Sequence, residues 1–134
     1  KGDILMKNTN PFPLGEKKPQ LDDYFIGQSY VASLLKEDDL DIKISHVTFE
    51  AGCRNNWHIH HEGYQVLLVT EGKGWYQEEN EPARSMLAGD VIYIKEGVKH
   101  WHGASQEESC SHIAITKGIY EWLKPVDDHW YGKL

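Results

Sequence analysis

The sequence predicts an all-β domain, a sandwich or small barrel, on three observations. Short β-branched and aromatic runs follow one another from Tyr24 onward, each bounded by Gly, Asn, Asp or Pro. No stretch between them carries an apolar helical period long enough for a helix of ordinary length. A chain of 134 residues can also bury roughly two thirds of its unfolded surface, so it needs no disulfide staples. Many short strands at close spacing are what sandwiches and barrels require.

In chain order, Lys1–Gln20 reads as an extended arm, because Pro11, Pro13 and Pro19 keep it out of central strands and helix interiors. Strands are expected at Ser29–Leu35, Ile42–Glu50, Tyr64–Thr70, Gly74–Gln77, Asp90–Ile94 and Cys110–Thr116. The acidic run Glu78–Glu81 reads as a solvated hairpin turn. Ile119–Leu123, ahead of Pro125, is expected to form a short helix in the tail. With no repeat or linker, one domain spans 1–134: an arm at 1–20, a β core at 24–117 and a tail at 118–134.

Fourteen basic against 21 acidic side chains give a formal net charge of −7, with no Lys/Arg stripe, so nucleic acid is not an expected partner. Cys53 and Cys110 are too few for a secreted disulfide scaffold and read as small core residues, although one bridge between them stays open. No apolar run approaches the ~18 residues of a membrane span, and the first thirty residues lack a signal-peptide layout. The expectation is a cytoplasmic chain without a membrane anchor.

Eight histidines stand out at this length. His58 and His60 flank Ile59, and His100 and His102 flank Trp101. Alternate residues of a strand share a face, so each pair points one way while Trp57, Ile59 and Trp101 point the other. His112 shares its face with Cys110, Ala114 and Thr116, small neighbours that leave room for a cavity. If these faces converge they line it with imidazoles, the N-donors that a divalent transition metal takes. One His-x-His is more often a surface or hydrogen-bonded pair; two in separate strands favour a metal. His46 reads as structural or interfacial, His61 as part of a turn with Glu62 and Gly63, and His129 as solvated.

The spacing resembles the cupin family, whose motifs are G-x5-H-x-H-x3/4-E-x6-G and G-x5-P-x-G-x2-H-x3-N. Gly52, His58, His60, Gln65 and Gly72 match the first, with Gln for Glu and one extra residue before it. Gly89, Gly97 and His100 match the second, with Lys95 for Pro and Ala104 for Asn. The resemblance runs from about Phe12 to Tyr131 and is nearest the small bacterial single-domain cupins that include manganese-dependent hydroxynitrile lyases. It implies a cupin double-stranded β-helix with an extended N-terminal arm and a short helical tail. It further implies His58, His60, Gln65 and His100 as metal ligands, His112 and His102 as catalytic pocket residues, and Ser45, Val47, Asn55 and Thr116 as the substrate wall.

Three neutral imidazoles and a neutral amide would leave a divalent ion its full charge, which favours an anionic or alkoxide-forming substrate. One ion per chain is expected, manganese first, with Fe, Ni, Co and Zn as alternatives. The leading reading is a lyase or isomerase acting on a small hydroxy or oxo compound, with His112 or His102 accepting the proton. Alternatives are a metal-dependent dioxygenase and a non-catalytic module that binds a small sugar or acid. A homodimer is expected, because Trp57, Ile59 and Trp101 would otherwise face solvent, and the arm could reach across to the partner.

Overall fold

The computed structural model describes residues 10–37 and 39–134; the first nine residues of the expected arm lie outside it. Among the described residues nine strands form one curled sheet: β1 (Phe25–Ile26), β2 (Ser29–Ser33), β3 (Lys43–Phe49), β4 (Arg54–Asn55), β5 (His58–Glu78), β6 (Arg84–Leu87), β7 (Val91–Ile94), β8 (His100–Ala104) and β9 (Cys110–Trp122). The main path runs β1-β4-β8-β5-β9-β3-β2, with β6 and β7 also paired to β5. A single-turn helix α1 (Asp128–Tyr131) is capped by the Asp127 side chain, which accepts from the Trp130 N–H. Among the described residues no helix is long and apolar enough to cross a membrane.

β5 organises the barrel. Its 21 residues would reach about 70 Å if straight, whereas a compact chain of this length has a radius of gyration of about 14 Å. The strand therefore bends, and His100 is in register with both His58 and Glu78. Two interruptions in the β5–β9 ladder allow the bend, one between His61 and Tyr64 and one between Val69 and Glu71. At the first, Glu62 has φ 61° and faces Gly118 at φ 102°. A Cβ on Gly118 would meet the His61 carbonyl oxygen at 2.3 Å, and one on Gly63 would meet that of Lys117 at 2.1 Å. The expected turn at His61–Gly63 is thus a bulge within one strand, and the runs Tyr64–Thr70 and Gly74–Gln77 belong to that same strand.

The inner face closes over Phe49, Leu67, Val69, Tyr76, Met86, Ile92 and Ile94. Cys53 and Cys110 sit in this core as free, fully buried thiols, each pushed up to about 12 chiefly by burial. The tail departs from expectation. Ile119–Trp122 is not helical but continues β9, because Ile119, Tyr120, Glu121 and Trp122 pair with His61, His60, Ile59 and His58. Backbone partners on β5 outweigh the local helix signal.

Two of the features that suggested the dimer are engaged within the described residues of the chain. Trp101 is fully buried against Val126 and Tyr131, with half-buried Trp57 beside it, so the chain's own tail covers that face. The described arm lies on its own barrel: Glu16 bridges Val31, Phe12 stacks on His46, and the Pro13 carbonyl accepts from His46 Nδ1 at 2.9 Å. His46 is a structural residue that fastens the arm. The arm ends in a short 3₁₀ turn, Pro19–Tyr24, over the mouth of the barrel.

Candidate metal centre and cavity

His58 and His60 leave β5 on the inner side, and His100 and His102 leave β8 to meet them. All four are buried. The His58 and His100 ring centroids are 4.1 Å apart, and His60 lies 5.2 Å from each. One donor nitrogen from each of His58, His100 and His102 falls within 4.8 Å of the others. Gln65 reaches the same interior past the bulge, donating from Nε2 to Thr116 Oγ1 at 2.8 Å and leaving buried Oε1 without a partner.

Hydrogen bonds fix what each imidazole can offer. His58 Nδ1 is 2.8 Å from the Asn56 carbonyl and His100 Nδ1 is 2.9 Å from that of Val98. A carbonyl only accepts, so both protons sit on Nδ1 and both Nε2 lone pairs are free, the arrangement that backbone carbonyls impose on metal-ligating histidines. Both ring nitrogens of His60 are buried without a partner. His102 is locked the opposite way. Its backbone N–H donates to Asn55 Oδ1 at 2.9 Å, which turns the Asn55 amide nitrogen toward His102 Nε2 at 3.2 Å. That lone pair is engaged, and the unpartnered Nδ1 carries a proton into the site.

Burial decides the charge state. It holds His58 and His102 well below the usual imidazole value, with neighbouring imidazoles adding to the effect. His60 and His100 are lowered to about 4 and His112 to about 3, again mainly by burial. All five are neutral at pH 7, the form able to ligate or to accept a proton. Unpartnered buried acceptors are costly unless something fills their need. The buried group of His58, His100 and His102 fits one divalent ion, and the unpartnered Nε2 of His100, ring nitrogens of His60 and Oε1 of Gln65 are further buried acceptors beside it.

A cavity of about 330 Å³ opens from this cluster, the lower end of the range for small-molecule sites. Its wall holds every residue expected there: Ser45, Val47, Asn55 and Thr116, together with His58, Gln65, His102 and His112. His112 lies 5.0 Å from His102, both of its ring nitrogens are buried and unpartnered, and Phe49 packs on both rings. His61 points away to an exposed contact with the Glu121 carboxylate. Sequence reasoning missed the aromatic side of the wall, Phe25, Phe49, Tyr120 and Trp122, and the contribution of the arm through Lys18 and Leu21. Continuing the alternation of His112, Ala114 and Thr116 would have found Tyr120 and Trp122.

Residues 45–116 match the family model described as Cupin domain. The chain is 36% identical over 116 residues to an (R)-mandelonitrile lyase from Granulicella tundricola, covering 83% of this chain and 88% of that protein. Among solved structures it is similar to a cupin-like protein from Thermotoga maritima, at 40% identity, TM-score 0.84, and 92% and 95% coverage of this chain and that one. A cupin 2 conserved barrel domain protein from Rhodopseudomonas palustris shares the fold at 12% identity and TM-score 0.67, with 85% and 77% of the two chains aligned.

Proposed function

The chain belongs to the cupin family, and from that premise we propose that it is a manganese-dependent lyase that cleaves small cyanohydrins. His58, His60, Gln65 and His100 would hold one ion per chain. Bound there, the metal would supply Lewis-acid polarisation of the substrate's hydroxyl oxygen. Every other role falls to the protein. Thr116 holds the Gln65 amide with its oxygen inward, and the aromatic wall of Phe25, Phe49 and Trp122 receives the substrate's ring and excludes water.

The observation that carries the reading is His112, a neutral, unpartnered imidazole on the wall of the cavity beside the donor cluster. It accepts the hydroxyl proton as the carbon–carbon bond to cyanide breaks, the bonding pair leaves with cyanide, and the carbonyl forms. Burial makes His112 a weak base in isolation, and the negative charge developing beside it offsets that penalty. His102, its Nδ1 proton aimed inward, donates a hydrogen bond to the departing cyanide. The similarity to a mandelonitrile lyase supports this class of substrate. Untagged protein loaded with manganese is mixed with (R)-mandelonitrile and benzaldehyde release is followed by absorbance. Turnover above the buffer rate that requires the metal is expected, and none with metal bound would overturn the reading.

A further inference from the structure

The polarity of the cavity wall is out of line with the rest of the chain. Acidic side chains outnumber basic ones 21 to 14, yet among the described residues no carboxylate lines the cavity, whereas Lys18 and Lys43 both do. Along β3 the inward residues grade from exposed Lys43 through half-buried Ser45 and Val47 to buried Phe49, so the charge stands at the mouth and the apolar surface at the floor. Lys43 is in register with Thr116, and Thr116 with Gln65. Two strand spacings, about 10 Å, therefore separate the lysine backbone from that of the proposed ligand. Half-buried Lys18 joins the same wall from the arm, where its carbonyl accepts from the Leu21 N–H at 2.8 Å. Among the described residues neither lysine forms an ion pair.

We propose that Lys18 and Lys43 select substrates carrying a carboxylate at the end remote from the hydroxyl or carbonyl group, so that the natural substrate is a small hydroxy or oxo acid derivative. The proposal rests on the reading of this cavity as the substrate site. Two cations at the rim and a neutral ligand set at the floor leave a positive field unopposed by any acidic wall residue, and an anion is drawn in and oriented with its charge outward. A lysine that merely covers apolar surface with its stem, its ammonium in water, would show no such preference.

The test compares para-hydroxymethylbenzoate with para-hydroxymethylbenzamide, nearly isosteric probes that differ in charge. Their affinities for the manganese-loaded protein are measured by calorimetry. The carboxylate is expected to bind about tenfold more tightly at low salt, and the preference to shrink as ionic strength rises. Lys18→Met and Lys43→Met should each reduce the preference, and the double variant should abolish it while its melting temperature stays near that of the parent. Equal affinities in the parent, or a preference that survives in the double variant, would overturn the proposal. Cyanohydrin turnover is read separately: a protein that binds metal and prefers the carboxylate but leaves mandelonitrile intact refutes the lyase reading alone. One that cleaves mandelonitrile with no charge preference refutes the lysine proposal alone.

Discussion

His60 and Gln65 are five residues apart on one strand, yet both are turned into the barrel interior. In an unbroken strand an odd separation would place them on opposite faces. The bulge at Glu62 and Gly63 inserts the residue that restores the parity, and the ladder resumes at Tyr64 opposite Lys117. The extra residue before Gln65 in the motif is thus absorbed by the bulge, and Gln65 reaches the interior in spite of it.

Glycine at the bulge should then be needed for both stability and metal binding. Gly118→Ala would combine a left-handed φ with a Cβ 2.3 Å from the His61 carbonyl oxygen, and should cost about 3 kcal/mol or more. Gly52→Ala has φ 85° but open space around the new carbon, and should cost only about 1–2 kcal/mol. Denaturant melts of the two variants, with metal content measured on each, check this. Equal destabilisation would mean that contact at the bulge is not what restricts the position.

Adjacent histidines on opposite faces provide a direct control for the ligand set. His60→Ala removes a buried, unpartnered ring, whereas His61→Ala removes an exposed one paired with Glu121. Elemental analysis should find metal lost from the first variant and retained at about one ion per chain in the second. Similar metal content in both would refute the assignment of His60.

Removing a proton acceptor should affect rate and not occupancy. His112→Ala is expected to keep its metal and lose about 10²–10⁴-fold in turnover, the usual contribution of a positioned acid–base group. His102→Ala should lose less, and Asn55→Ala, which frees the His102 tautomer, less again. Metal loss from His112→Ala would make that residue a ligand or a support for one.

The buried imidazoles also set how the metal-free chain responds to acid. Their folded pKa values lie below the unfolded value of about 6.5, so the unfolded state takes up protons first as pH falls. The histidine contribution to stability should be constant above about pH 7 and fall through the window from about 6.5 to 4, by up to about 1.4 kcal/mol per pH unit for each such histidine. Urea midpoints measured in excess chelator check the sign. A midpoint unchanged between pH 7 and 5 would show that the folded chain already accepts these protons.

Much of this was legible because period-two alternation is reliable wherever a strand is regular. It placed His58 with His60 and His100 with His102 among the buried inner residues, and Ser45 with Val47 on the cavity wall. Gln65 was found only through motif spacing, since alternation fails at a bulge. The helix expected at Ile119–Leu123 hid Tyr120 and Trp122, whose strand conformation depends on partners sixty residues earlier. The burial of Trp101 depends on the tail folding back through Val126 and Tyr131, and nothing local in the sequence encodes that contact.

The homodimer expected from the sequence has a second candidate face. Ile44, Ile115, Val66 and Tyr93 are in register across β3, β9, β5 and β7, and beside them Ile113, Leu68 and Val91 form a second row that ends at His46. Val91 and Tyr93 are 63% and 59% exposed, and no described segment of the chain packs over them as the tail packs over Trp101. We propose that a second copy covers this outer face through a two-fold contact, in which the same rows meet each other and no charged side chain need be desolvated at the centre. Sedimentation at micromolar concentration should give twice the 15.4 kDa chain mass. Tyr93→Asp, which places a carboxylate at the centre of the contact, should shift the protein to monomer with its metal content intact. A monomeric parent would remove the proposal, and a dimer indifferent to Tyr93→Asp would put the interface elsewhere.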